Sequence, residues 1–274
     1  MKDTMIGVDL AKNVFQLHGA SMTGEVKFRK KLTRPQFMAF MADHPAAVVV
    51  LEACGSASYW ARELSKAGHE VKLIAPQYVK PFVKRQKNDA ADAEAIVVAA
   101  QRPEMRFVPP KTEEQQARAV LFRARERLVH QRTELSNALR AALYEYGHAV
   151  PQGSVHLKRI VEIIEAETCD LPDLAREEAR DLLEQIAEKT VRIEAKTRKI
   201  AAQAALTPTA RRLQTMPGVG PMTALAVEAY APAMATFKCG RDFAAWLGLV
   251  LRFSLSADRG GRVSCARPRL RSAI

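Results

Sequence analysis

The chain changes its hydrophobic period near its middle. "MIGVDL" (5–10) reads as a buried strand, "VFQLHGA" (14–20) as a second, and "EVKFRKKL" (25–32), with apolar and charged positions strictly alternating, as a third. Gly24 in the turn "MTGE" joins the last two, which predicts a three-stranded antiparallel meander. Helical spacing follows in "RPQFMAFMADH", a continuous β-branched run in "AAVVVLEA", a helix closed by Gly68 in "SASYWARELSKAG", and another strand in "HEVKLIAP". Strands followed by strand, helix, strand, helix imply a mixed sheet flanked by helices.

From about Thr112 the pattern becomes long, highly charged helices. Leu121, Leu128 and Leu135 recur every seven residues, with Leu139 and Leu143 continuing the stripe; Ala179, Ile186, Ile193 and Ile200 repeat it later. Such stripes predict a helical hairpin or coiled coil, within one chain or between two, with "VPQGS" at 150–154 as the turn and a spacer or dimerising role. A last unit opens near Thr207 with "LQTMPGVGPMTALAVEAYA", and from Leu251 a tail without periodicity carries six arginines against one aspartate. The division expected is therefore 1–105, 106–206 and 207–274.

Composition narrows the choice of partner. The 274 residues are long enough for more than one core, and 48% are hydrophobic. A formal charge of +12 and a pI near 9.7 point to a polyanion, foremost nucleic acid. Cys54, Cys169, Cys239 and Cys265 show no C-x-x-C spacing, which argues against zinc and fits a reducing compartment. With no apolar run of membrane-spanning length and no signal peptide in the N-terminal "MKDT", a cytoplasmic location without membrane partners is expected.

Four carboxylates carry the candidate chemistry. Asp9 ends the first strand, Glu52 ends "VVVLE", and Asp89 and Asp92 open a helix in "KNDAADAEAI". In a mixed sheet the ends of the first and fourth strands can lie side by side, and i and i+3 share a helix face. Four converging carboxylates repel unless a cation joins them, and Mg2+ suits an all-oxygen set. Two such ions about 3.5–4 Å apart serve phosphodiester cleavage. Each residue also has a plainer reading: Asp9 a turn residue, Asp89 and Asp92 an N-cap and its capping-box partner. Glu52, behind three valines and a leucine, is the hardest to explain without a partner.

"MPGVGPMTALAV" has the form of a helix-hairpin-helix, in which Gly218 and Gly220 would allow positive φ and the following helix would offer N–H groups to a phosphate. A tight turn between packed helices is the alternative. An actin-like ATPase also begins with a strand bearing an aspartate, but no phosphate loop of that type is evident.

Taken together, "IGVDLAKNVFQLHG", "VVVLEACGSASYWARELSKAGHEVKLIAPQYVKPFVKRQKNDAADAEAI" and "LQTMPGVGPMTALAVEAYAP" with the later "GRDFAAWLGLV" resemble the transposases of the insertion sequence 110 family, near the insertion sequence 1111 subgroup. The resemblance covers the chain in order to about Val250. It implies an α/β N-terminal RuvC-like domain of ribonuclease H fold, a long helical coiled-coil segment, and a small, mainly α C-terminal domain with the helix-hairpin-helix-like motif. It further implies a D-E-D-D set, here Asp9, Glu52, Asp89 and Asp92, holding Mg2+, and a C-terminal serine nucleophile that forms a covalent phosphoserine with DNA. The partners implied are the element ends, target DNA and a structured guide RNA, in a homodimer or tetramer whose active site is completed between protomers.

The tail departs from the family pattern. "WLGLVLRFSLSADRGGRVSCARPRLRSAI" keeps Arg252, expected at the DNA, and Ser254 and Ser256, each favoured by a different count, but lacks the expected proline and serine-glycine order. A truncated or frameshifted copy is the expectation. The alternatives are then an inactive relic that only binds nucleic acid, or a RuvC-like metal-dependent nuclease.

Overall fold

The computed structural model describes residues 3–83, 89–166 and 170–249. Strands β1 (Thr4–Leu10), β2 (Val14–Ser21) and β3 (Val26–Thr33) form the expected antiparallel meander. Then come α1 (Arg34–Asp43), β4 (Val48–Glu52), α2 (Ala57–Lys66), β5 (Glu70–Ile74), α3 (Pro76–Val79) and a 3-10 turn (Lys80–Phe82). Helix α4 (Asp89–Ala100) and the two-residue β6 (Phe107–Val108) complete the unit. The sheet order is β3-β2-β1-β4-β5-β6, with β1, β4 and β5 parallel. This is the α/β architecture expected of the N-terminal segment.

Strand alternation sorts the side chains onto two faces. Ile6, Val8, Phe15, Leu17, Val49 and Leu51 meet α1 and α2, where Phe15, Phe37 and Trp60 pack edge to face with centroids 5.1–5.4 Å apart. Such pairs contribute roughly 0.5–1.5 kcal/mol each beyond their buried area. Met5, Ala20, Val48, Val50 and Ile74 lie on the opposite face, against Ile96, Val97 and Ala100 of α4. Strand β4 is thus apolar on both sides until Glu52. Helix α4 can approach this closely because β1 carries glycine beneath it: a Cβ on Gly7 would lie 2.5 Å from the Ala93 carbonyl oxygen.

The heptad stripes pack against each other within the chain. Helices α5 (Glu113–Tyr144) and α7 (Asp173–Leu206) run antiparallel, with Leu139 and Leu143 beside Ala179 and Ile186 at one end, and Leu121 and Phe122 beside Ile200 and Ala204 at the other. At 34 residues α7 is about 50 Å long. The connection is not the simple turn expected at 150–154. A further helix, α6 (Leu157–Glu165), intervenes and buries Ile160 and Ile164 against the hairpin end. Arg140 fastens the loop before it by donating to the carbonyls of Pro151 (3.1 Å) and Gly153 (2.8 Å). The sheet is tied to the hairpin through Arg62 of α2, which donates to the Lys111 carbonyl and to Gln116 Oε1, both at 2.7 Å.

Helices α8 (Pro208–Leu213) and α9 (Pro221–Tyr230) pack on the base of the hairpin through Ala210, Ala224 and Leu225. The first compact unit ends at Tyr230. The second begins at Ala231; its described part holds α10 (Gly240–Trp246), with Phe237, Phe243 and Trp246 clustered at centroid distances of 5.3–6.1 Å. Among the described residues no helix is long and apolar enough to cross a membrane.

Candidate functional site

The register of β1 and β4 places the first two carboxylates. Val8 pairs with Leu51, so Asp9 and Glu52 occupy the next step at the C-terminal ends of adjacent parallel strands. Their even-numbered and odd-numbered neighbours fix the face: Val8 and Leu51 enter the α1–α2 core, whereas Gly7 and Val50 face α4. Asp9 and Glu52 therefore stand on the α4 side. Helix α4 starts at Asp89, so Asp89 and Asp92 share its first turn, and Asp92 is one residue from the Ala93 carbonyl that closes on Gly7. The side chain of Asp89 lies outside the described residues.

Asp9 and Asp92 both act electrostatically on Glu52. Burial raises the Glu52 carboxyl above its ordinary range, and the charges of Asp9 and Asp92 push it further up; the Lys80 ammonium partly offsets them. Asp9, Glu52 and Asp92 are each half-buried. Among the described residues no group of three or more His, Cys, Asp or Glu side chains is drawn together tightly enough to hold a metal ion. The donor chemistry nevertheless fits a hard divalent cation: oxygen ligands only, with the negative charges of Asp9 and Asp92 both acting on Glu52. Lys80 has no counterpart in the sequence reading, because "VKPFVKRQKND" is dense in lysine and nothing in its spacing singles one out.

The glycine-proline segment forms an exposed turn between α8 and α9. Gly218 has φ +81°, whereas Gly220 is not among the glycines with positive φ, so the expectation holds for Gly218 alone. Met216 accepts from the Val219 N–H at 3.1 Å, and the Gly220 carbonyl accepts from Ala224 N–H at 3.0 Å as α9 begins. Among the described residues nothing stands within 4 Å of where a Cβ would sit on either glycine. Arg211 and Arg212 are exposed in the last turn of α8. Arg252, Ser254 and Ser256 lie outside the described residues.

Two family matches bracket the chain. Residues 6–148 match the DEDD family of IS110 type, described as "Transposase", and residues 210–274 match the "Transposase IS116/IS110/IS902 family", a stretch that includes both candidate serines. The "Transposase for insertion sequence element IS1328" of Yersinia enterocolitica is 39% identical over 91% of this chain and 74% of its own length. The "Transposase for insertion sequence element IS1111A" of Coxiella burnetii is 38% identical over 94% of this chain and 72% of its own. A Sinorhizobium fredii relative, y4pF/y4sB, is 44% identical over 89% of this chain, which spans 63% of that relative's length. Among solved structures, "T. thermophilus RuvC in complex with Holliday junction substrate" is similar at 13% identity over 38% of this chain and 99% of that one, with a TM-score of 0.30.

Proposed function

The chain belongs to the IS110 family of transposases, and from that premise we propose that it is a DNA recombinase of an insertion sequence, working through a RuvC-like carboxylate centre and a C-terminal serine. The observation that carries the reading is the meeting of Asp9 and Glu52 on adjacent parallel strands with Asp92 on the helix above them, close enough for both aspartates to raise Glu52.

In this reading Asp9, Glu52, Asp89 and Asp92 hold Mg2+, which when bound supplies positive charge against the phosphate oxygens. The hydroxyl of Ser254 or Ser256 is the nucleophile. Its Oγ forms a bond to phosphorus as the bond from phosphorus to a deoxyribose oxygen breaks; the hydroxyl proton leaves to a base and the departing oxygen takes one up. Attack on that phosphoserine by the hydroxyl of another DNA end frees the serine and rejoins the strand. Positioning accounts for much of such a step. The turn at Gly218 and Gly220 and the side chain of Arg252 hold duplex phosphates. The α5–α7 hairpin is the coiled-coil linker of the chain and returns beside its own start, where Gln115 donates to the Glu228 carbonyl at 3.2 Å. It also joins protomers into a homodimer or tetramer, with a structured RNA guiding the choice of both DNAs.

The test is incubation of the protein with element-end DNA, target DNA and the element's RNA. A covalent protein–DNA adduct that disappears in Ser254→Ala or Ser256→Ala supports the recombinase. Binding without any adduct identifies a relic that only binds nucleic acid. Cleavage that survives both serine changes but is lost in Asp9→Ala identifies a metal-dependent nuclease.

A further inference from the structure

The sheet register extends the carboxylate pair into a row. Asp9 pairs with Gln16 on β2, and Gln16 pairs with Lys31 on the edge strand β3, so Lys31, Gln16, Asp9 and Glu52 follow one another across the sheet. All four fall on the same face. Phe15 and Leu17 enter the α1–α2 core, which leaves Gln16 on the α4 side. On β3, Phe28 and Leu32 pack on the α1 side and the Lys30 ammonium sits 4.6 Å from the Phe40 ring centre, while Arg29 reaches Glu94 of α4 at 3.0 Å. Lys31 shares the face of Arg29.

Four cations line β3, and three of them have work within the chain. Lys27 pairs with Asp3 at 2.6 Å, Arg29 with Glu94, and Lys30 covers Phe40. Lys31 is exposed and, among the described residues, makes no ion pair or hydrogen bond through its side chain; neither does Gln16, which is half-buried. In the other direction the row is apolar, since Glu52 pairs with Ile74 and Ile74 with Phe107. Along the row itself, a phosphodiester strand crossing this face finds its donors on the β2–β3 side, while among the described residues the cations of the other side, Lys80 and Lys72, face Glu52 and Glu70. Two strand spacings, about 10 Å, separate Asp9 from Lys31 along the row, and the lysine side chain can bridge much of that distance.

We propose that Gln16 and Lys31 bind the DNA strand beside the carboxylates, with Lys31 contacting the phosphate next to the one at Asp9 and Glu52 and Gln16 donating to the backbone between them. This rests on the reading of the carboxylates as a DNA-processing centre and adds the direction in which the strand leaves it: over β2 and β3, across the sheet edge. A general edge-guarding role for lysines does not explain the difference between Lys30 and Lys31, which belong to the same strand and face opposite sides.

The test is fluorescence anisotropy of the full chain with a labelled DNA duplex over a range of salt concentrations. Lys31→Ala is expected to weaken binding about tenfold, the value of one charge-assisted contact, and to flatten the slope of log K against log salt by about 0.9, one phosphate contact. Lys31→Arg is expected to restore both, Lys30→Ala to change neither, and Gln16→Ala to weaken binding while leaving the slope intact. Wild-type affinity and slope in Lys31→Ala, or an equal loss in Lys30→Ala, would overturn the proposal. Failure of the underlying reading shows separately, as Mn2+ bound by Asp9→Asn at wild-type affinity, a measurement that Lys31 does not enter.

Discussion

Gly7 of β1 and Ala93 of α4 are packed so closely that a methyl group at position 7 would stand 2.5 Å from the Ala93 carbonyl oxygen and 2.7 Å from a methyl of Val97. The absent side chain is what lets α4 settle onto the strand ends, and α4 is what brings Asp92 to Glu52. Because the obstructing atom is backbone, the helix has to move as a body to make room.

Gly7→Ala is accordingly predicted to lower stability by roughly 1–3 kcal/mol, the usual range for overpacking, as read from urea unfolding. Gly55, with nothing among the described residues within 4 Å of its Cβ position, is the control: Gly55→Ala should stay close to wild type.

Glu52 gives a pH signature in metal-free protein. Burial first, then Asp9 and Asp92, raise its carboxyl above the ordinary 4.5. The folded state then binds the proton more readily than the unfolded state, so the ionised form costs stability above the folded pKa, and the cost is gone below 4.5. Glu52→Gln is therefore predicted to stabilise the metal-free protein at neutral pH, with the advantage shrinking to nothing as the pH falls to 4.5. Thermal melts in chelator across that range measure it.

His69 is buried and holds three segments together: its Nδ1 accepts from the Ala47 N–H at 3.2 Å, and Nε2–H donates to the Met41 carbonyl at 2.8 Å. His69→Leu keeps the apolar bulk but strands both backbone groups. Each buried unpaired group costs about 1–3 kcal/mol, and a matching fall in the urea midpoint is expected.

The two turn glycines should behave differently. Gly218, at φ +81°, sits where a side chain costs about 1–2 kcal/mol, whereas Gly220 has no such requirement and, among the described residues, nothing within 4 Å of its Cβ position. Gly218→Ala should lower the melting temperature and Gly220→Ala should not, as differential scanning calorimetry will show.

Much of this was legible in the chain because period carries burial. The meander, the buried β4 run and both heptad stripes were visible, since each side chain's neighbour along its own element decides its face. The pairing of Asp9 with Glu52 needed one further step, the adjacency of β1 and β4. The row onward to Gln16 and Lys31 was not readable, because register is set by pairing between strands and not by either strand alone. Helix α6 is hidden in the sequence although Leu157, Ile160 and Ile164 have helical spacing, because the Pro and Gly of "VPQGS" signal a turn immediately before it. Strand β6 has only two residues and exists through its pairing with Leu73 and Ile74.

The central claim is that Asp9, Glu52, Asp89 and Asp92 form one divalent-cation centre, and Mn2+ binding followed by electron paramagnetic resonance tests it without requiring turnover. Wild-type protein is predicted to bind Mn2+ in competition with Mg2+, and Asp9→Asn, Glu52→Gln and Asp92→Asn each to lose that binding while remaining folded. Equal Mn2+ affinity in wild type and in folded Asp9→Asn and Glu52→Gln would contradict the account.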